Sequence, residues 1–187
     1  MKEHPIIFSG AMVRAILDGR KTQTRRVVKN IDESDIIRRT PFAESGYETT
    51  HGRSIVCPYG VPGDQLWVRE TWAMSGYNRV EYRAFPADGT DFRCVMGWRP
   101  SIHMPRKYSR ILLEVTGVRV ERLQEITVED ALAEGISEHD IQRISKRNRK
   151  LPGDLLIFSN LWDSINAKRG YGWDTNPFVW CVTFKRI

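Results

Sequence analysis

Residues 11–26, AMVRAILDGRKTQTRR, change character at Gly19. Before it, Met12, Ala15 and Ile16 recur at helical spacing, and Val13 and Leu17 widen the apolar stripe. Ser9 or Gly10 stands where an N-cap belongs. Gly19 stands where a helix closes on a left-handed residue. After it come Arg20, Lys21, Thr22, Gln23, Thr24, Arg25 and Arg26, polar without a break. Such a run predicts a charged turn that buries no core and is either solvated or lines a cleft. Lys21 and Thr24 bring an amine and a hydroxyl close together along the chain. Arg20, Arg25 and Arg26 surround Lys21 with positive charge, which favours its neutral, basic form.

The chain of 187 residues suits one domain carrying insertions, with enough length to bury a core. No apolar run approaches the roughly 20 residues that span a bilayer, so no membrane segment is expected. The N-terminal apolar run Pro5–Phe8 is too short for a secretory signal. Cys57, Cys94 and Cys181 are odd in number and far apart, which predicts reduced thiols and a cytoplasmic protein. The net charge is +6. Residues 14–29 hold six Lys/Arg against one Asp, and residues 143–150, RISKRNRK, hold five against none. Two basic patches on a chain whose remainder is acidic fit a polyanion or nucleotide partner, or serve only solubility.

In chain order, residues 5–8 predict a short buried strand. Residues 30–60 read as an irregular insertion packed over the core. His51 and Cys57 lie there without a second pair at zinc spacing, so no metal site and no cofactor are expected. Pro62-Gly63-Asp64 marks a turn. Leu66 and Val68 then alternate with Trp67 and Arg69 as in a half-buried strand. Glu70 and Trp72 end that strand. They are set either to bind a base edge and stack on its face, or to pair with an arginine and fill the core. Residues 80–85 predict a strand within a second irregular stretch, 76–108, where His103 sits in a Pro-rich loop. Residues 110–121 contain two strand-like runs around Gly117, with a bend or bulge expected there. Thr127 and Asp130 form a capping-box pattern for a short helix closed by Gly135. Glu134 falls in its last turn, where the helix dipole disfavours an anion. A carboxylate placed against its local preference is a candidate acid. Residues 154–166 read as an amphipathic helix with Leu155, Phe158, Leu161, Trp162 and Ile165 on its apolar face. Residues 178–185 predict a final, central strand. The order of elements predicts an α+β fold on a small, mostly antiparallel sheet or barrel.

With these motifs laid out, the sequence resembles the ASCH family of the PUA-like superfold. The features that carry the resemblance are the helix followed by Gly19-Arg20-Lys21-Thr22-Gln23-Thr24-Arg25-Arg26, the Gly63-Asp64 strand entry, the Ala133-Glu134-Gly135 helix end and the strand Phe178–Phe184. VRETW and WRPSIHMPR are similar to segments of longer ASCH proteins encoded by phages and prophages. The resemblance implies a single domain over 1–187, a small PUA-like β-barrel flanked by short helices, with insertions at about 30–60 and 76–108. It also implies an amidohydrolase acting on an N4-acetylcytidine-like nucleoside, with Lys21, Thr24 and Glu134 as the catalytic set and no metal. Arg25, Arg26, Glu70 and Trp72 would contact the substrate, a small nucleoside or RNA. The zinc-deaminase pattern H-x-E with P-C-x-x-C is absent, which argues against removal of the amine itself. Other ASCH proteins are thought to bind or cut RNA, so the alternatives are an RNA- or nucleotide-binding module without hydrolysis, or a phage accessory protein. Fold alone does not choose among them.

Overall fold

The computed structural model describes residues 1–31, 35–40, 46–76, 78–84, 95, 97–136 and 153–187. The fold is α+β, with mostly antiparallel strands and few short helices. Its main sheet has the strand order β1 (Glu3–Ile7), β5 (Gln65–Arg69), β8 (Leu112–Arg122), β9 (Phe178–Arg186) and β2 (Gln23–Val27), and among the described residues no pairing of the two outer strands closes it into a barrel. The chain forms two compact units, Met1–Thr22 with Tyr59–Thr116 and Phe184–Ile187, and Gln23–Pro58 with Gly117–Thr183.

The first unit begins with β1 (Glu3–Ile7), parallel to β5 (Gln65–Arg69) in the register Glu3↔Gln65 to Ile7↔Arg69. β5 is antiparallel to the start of β8 (Leu112–Arg122). Leu66 and Val68 are buried and their neighbours half-exposed, the alternation a strand covered on one face requires. The turn into β5 is held by Asp64, whose carboxylate accepts from the backbone N–H of Lys2 at 2.7 Å and of Val61 at 3.2 Å. The turn also needs Gly60: its φ is +86°, and a Cβ there would lie 2.9 Å from Asp64 Cβ. α1 (Gly10–Leu17) starts on Ser9, whose Oγ accepts from Met12 N at 3.4 Å. It buries Val13, Ala15 and Ile16 and exits through Gly19 at φ +75°. Phe8 and Phe184 meet at a centroid distance of 6.1 Å in this core. The 76–108 stretch contributes β7 (Val80–Tyr82), which pairs with β6 (Trp72–Met74), and short 3-10 turns at Ser101–His103 and Arg106–Tyr108. The strand expected to reach residue 85 ends at Tyr82, and Phe85 lies outside the described residues.

The second unit opens with β2 (Gln23–Val27), antiparallel to β9 (Phe178–Arg186) with Arg25 opposite Cys181. This corrects the reading of residues 20–26 as a turn that buries no core. Lys21, Gln23, Thr24 and Arg25 are all buried, because β2 pairs along β9 and its charged side chain meets carboxylates from elsewhere in the chain. The insertion at 30–60, expected to be irregular, contains a small hairpin of β3 (Ile37–Arg39) and β4 (Tyr47–Thr49). Tyr47 of that hairpin meets the Trp180 ring edge-on at 5.6 Å. Gly117 lies within β8, which runs through it without a break. Its role is close approach, since a Cβ there would sit 2.6 Å from Thr183 Oγ1, which donates to the Gly117 carbonyl. α2 (Val128–Ala133) carries the expected capping box, with Asp130 N donating to Thr127 Oγ1 at 3.2 Å. α3 (Gly153–Asn166) buries Phe158, Ser159 and Trp162. Leu161 and Ile165, expected on its apolar face, are each 37% exposed. The buried stripe is rotated toward Ser159, which enters the interior because its hydroxyl donates back to Leu156 O at 2.9 Å. These faces close a core of Leu123, Ile126, Ala131, Ile136, Phe158, Trp162, Val179 and Cys181.

Candidate functional site

A strand presents alternate residues to opposite faces. Gln23 and Arg25, two positions apart on β2, therefore share a face. Arg25 carries a side chain with no solvent exposure. Its Nε and Nη2 donate to Glu121 Oε1 at 3.0 and 2.6 Å, and Nη2 also to Asp130 Oδ2 at 2.9 Å. Nη1 donates to Glu134 Oε1 at 3.5 Å. Arg119 closes the network from β8. It donates to Glu121 Oε2 at 2.7 Å, to both Asp130 oxygens at 3.0 Å, and to Gln23 Oε1 at 3.1 Å. The Gln23 amide returns a hydrogen bond to Asp130 Oδ1 at 3.0 Å. Two guanidiniums, three carboxylates and an amide are thus tied together, and the Arg25 guanidinium also lies 5.9 Å from the Phe158 ring centre.

The charges in this network support one another. Burial works against ionisation of Asp130, but the Gln23 hydrogen bond and the Arg25 and Arg119 charges outweigh it and hold the carboxyl below its ordinary value. Burial likewise opposes ionisation of Glu121. The Cys181 hydrogen bond and the two arginines overcome that and lower it. The Cys181 thiol is pushed up, first by burial, and stays protonated. Burial opposes the charge on Arg25, yet the Glu134 and Glu121 carboxylates raise it, so it remains a cation.

Of the residues singled out in the sequence, Arg25 and Glu134 meet here. Glu134 is the C-cap of α2, 6% exposed. Thr24 is 1% exposed, and among the described residues its hydroxyl makes no hydrogen bond. Arg26 is half-buried. The basic segment 143–150 lies outside the described residues, as does Cys94, while Cys57 and Cys181 are buried and form no disulfide among the described residues. Glu121, Asp130, Arg119 and Gln23 were not read from the sequence as parts of a site. The alternation of Arg119, Val120 and Glu121 was a signal for two charges on one strand face, but nothing local says what that face meets.

The remaining candidates belong to the first unit. Lys21 is 2% exposed, with its Nζ 5.6 Å from the Phe8 ring centre, a cation–π distance. Glu70 is buried and receives Arg110 bidentately, Nε to Oε1 at 2.9 Å and Nη2 to Oε2 at 3.0 Å. Arg110 stacks on Tyr82 at 4.1 Å. Trp72 is buried against Tyr108, with centroids 4.9 Å apart, and among the described residues its indole N–H has no hydrogen-bond partner. The arrangement therefore contains both the arginine pairing of Glu70 and the burial of the Trp72 indole. His103 is exposed at the end of a 3-10 turn. Among the described residues no cluster of His, Cys, Asp or Glu is arranged to hold a metal ion, and no helix is long and apolar enough to cross a membrane.

Solved structures similar to this chain include the following two. One is a protein from Enterococcus faecalis V583 with the family description DUF984, with TM-score 0.45 and 9% identity, covering 100% of this chain and 81% of that one. The other is an ASCH domain from Lactobacillus crispatus JV V101, with TM-score 0.42 and 12% identity, covering 99% of this chain and 79% of that one. No protein-family model matches the sequence, and no curated protein matches it.

Proposed function

We propose that the protein is a metal-independent amidohydrolase acting on an N-acylated nucleoside or base of the N4-acetylcytidine kind. The observation that carries this reading is Thr24. Its side chain is withdrawn from water, yet its hydroxyl is engaged by no protein group among the described residues. A buried hydroxyl that spends no hydrogen bond on the fold is suited to attack a bound carbonyl. Lys21 accepts the Thr24 hydroxyl proton as general base. The Thr24 oxygen bonds to the acyl carbon, Arg26 or a backbone N–H stabilises the oxyanion, and the C–N bond breaks as Glu134 delivers a proton to the leaving nitrogen. Water then cleaves the acyl-threonine and regenerates the hydroxyl. Lys21 and Glu134 are both buried, which supports these roles by holding the two groups in place away from bulk water.

The test is incubation with a panel of N-acylated nucleosides, followed by mass. Thr24→Ala, Lys21→Ala and Glu134→Gln are each expected to cut turnover by about a thousandfold or more. Joint loss should cost little beyond single loss, since groups acting together are non-additive. Lys21→Arg keeps the charge but not the base, and is expected to fail as well. Full turnover in folded Lys21→Arg would remove the mechanism, whereas nucleoside or RNA binding without turnover in the wild type would favour a binding module.

A further inference from the structure

The second unit holds a cleft of about 430 Å³ to which neither Thr24, Arg25 nor Glu134 contributes. It opens between Val28 and Ile31, just beyond β2, and the segment that leads into β9. Its volume lies in the range of small-molecule sites. Val28, Ile31, Pro177 and Phe178 give it apolar walls, and Arg122 and Tyr171 complete it.

Arg122 is the distinctive group. Its guanidinium lies 3.7 Å from the Phe178 ring centre, and its Nη1 donates to Asn176 O at 3.2 Å. Those two contacts fix the plane of the cation. The other arginines described in this unit's interior, Arg25 and Arg119, are tied to carboxylates. Among the described residues no carboxylate pairs with the Arg122 side chain. Its remaining N–H donors are therefore left to a ligand or to water. Tyr171 is held by its backbone: its carbonyl accepts Trp162 Nε1 at 2.7 Å, and its N–H donates to Asn166 O at 3.3 Å. Its phenol oxygen makes no hydrogen bond among the described residues. A bare anion would need no apolar walls, and a purely apolar ligand would gain nothing from a cation held by a stack and a carbonyl. Guanidinium combines face stacking with anion recognition in one group.

We propose that this cleft binds a mononucleotide, with the ring against the apolar and aromatic walls and the phosphate on Arg122. The proposal does not depend on the hydrolase reading, because the residues differ. It is tested by calorimetric titration of the full chain with cytidine 5′-monophosphate, cytidine and inorganic phosphate. The monophosphate is expected to bind at least tenfold more tightly than either part, and more weakly as salt rises. Arg122→Gln should reduce its affinity at least tenfold. Thr175→Trp, at an exposed lining position, should block the cleft with the core untouched. It decides the matter should Arg122→Gln fail to fold. Thr24→Ala and Glu134→Gln should retain binding. Equal affinity for the monophosphate and cytidine, unchanged affinity in folded Thr175→Trp, or loss of binding in Thr24→Ala would each overturn the proposal.

Discussion

The two units solve the same problem with opposite signs. In the second, the buried charge is a cation: Arg25 is sealed from solvent and served by Glu121, Asp130 and Glu134, which keep some exposure. In the first, which also buries Lys21, Glu70 is a buried anion: it is 1% exposed and is served by Arg110, which is 28% exposed. A charge taken out of water is tolerated only when its partners nearly replace its hydration. Arginine offers five donors in a fixed plane, so it needs several acceptors, and three carboxylates from two elements converge on it. A carboxylate is satisfied by one bidentate guanidinium. The first arrangement is therefore a network with redundancy and the second a pair without it.

That contrast predicts an order of effects. Arg110→Ala strands Glu70 in the interior and should cost about 3–5 kcal/mol, read by chemical denaturation. Arg25→Ala should cost nearly as much, because Glu121 and Asp130 lose one of the two guanidiniums that hold them; a cost below about 1 kcal/mol would show that the network is not what secures β2. Glu70→Gln should cost less than Arg110→Ala, about 1.5–3 kcal/mol, since the arginine left behind reaches solvent. Should the two costs be equal, burial asymmetry is not what sets them. Glu134→Gln should be smallest, within about 1 kcal/mol, because Arg25 keeps two carboxylates. This makes that variant a clean probe of the proposed catalysis.

The network also makes a pH prediction. Glu121 and Asp130 are held below their ordinary values in the folded protein. Their contribution to stability is fully present above the unfolded carboxylate range near pH 4 and is lost as pH falls through the lower folded values. Stability measured from pH 6 downward should fall in that window. Asp130→Asn should flatten the fall, and a slope identical to that of the wild type would place the acid sensitivity elsewhere.

Features whose causes lie within a few residues were legible in the sequence. The Ser9 start and Gly19 end of α1, the turn at Pro62-Gly63-Asp64, the alternation of Leu66 and Val68 and the Thr127–Asp130 box each depend on hydrogen bonds or burial patterns spanning a few positions. Of the candidate site, Lys21, Thr24 and Glu134 were picked out by residue type and by Glu134's poor fit to its helix end, which is again local. Their burial was not legible. Seven polar residues in succession read as a turn that is solvated or lines a cleft and buries no core, because hydropathy weighs each residue against water and takes no account of a partner.

The sequence by itself determined where helices and strands start and stop, and which residue types are available for chemistry. Only the tertiary structure decided that Gln23–Val27 is a strand with its first three residues buried, that Gly117 is an approach point and that Ser159 turns inward. The physical reason is distance along the chain. Arg25 is compatible with the interior only through Glu121, Asp130 and Glu134, which lie 96, 105 and 109 residues away. Gly117 likewise answers to Thr183, 66 residues on. A charge's environment is set by what folding brings beside it, and backbone propensity carries no record of that neighbour.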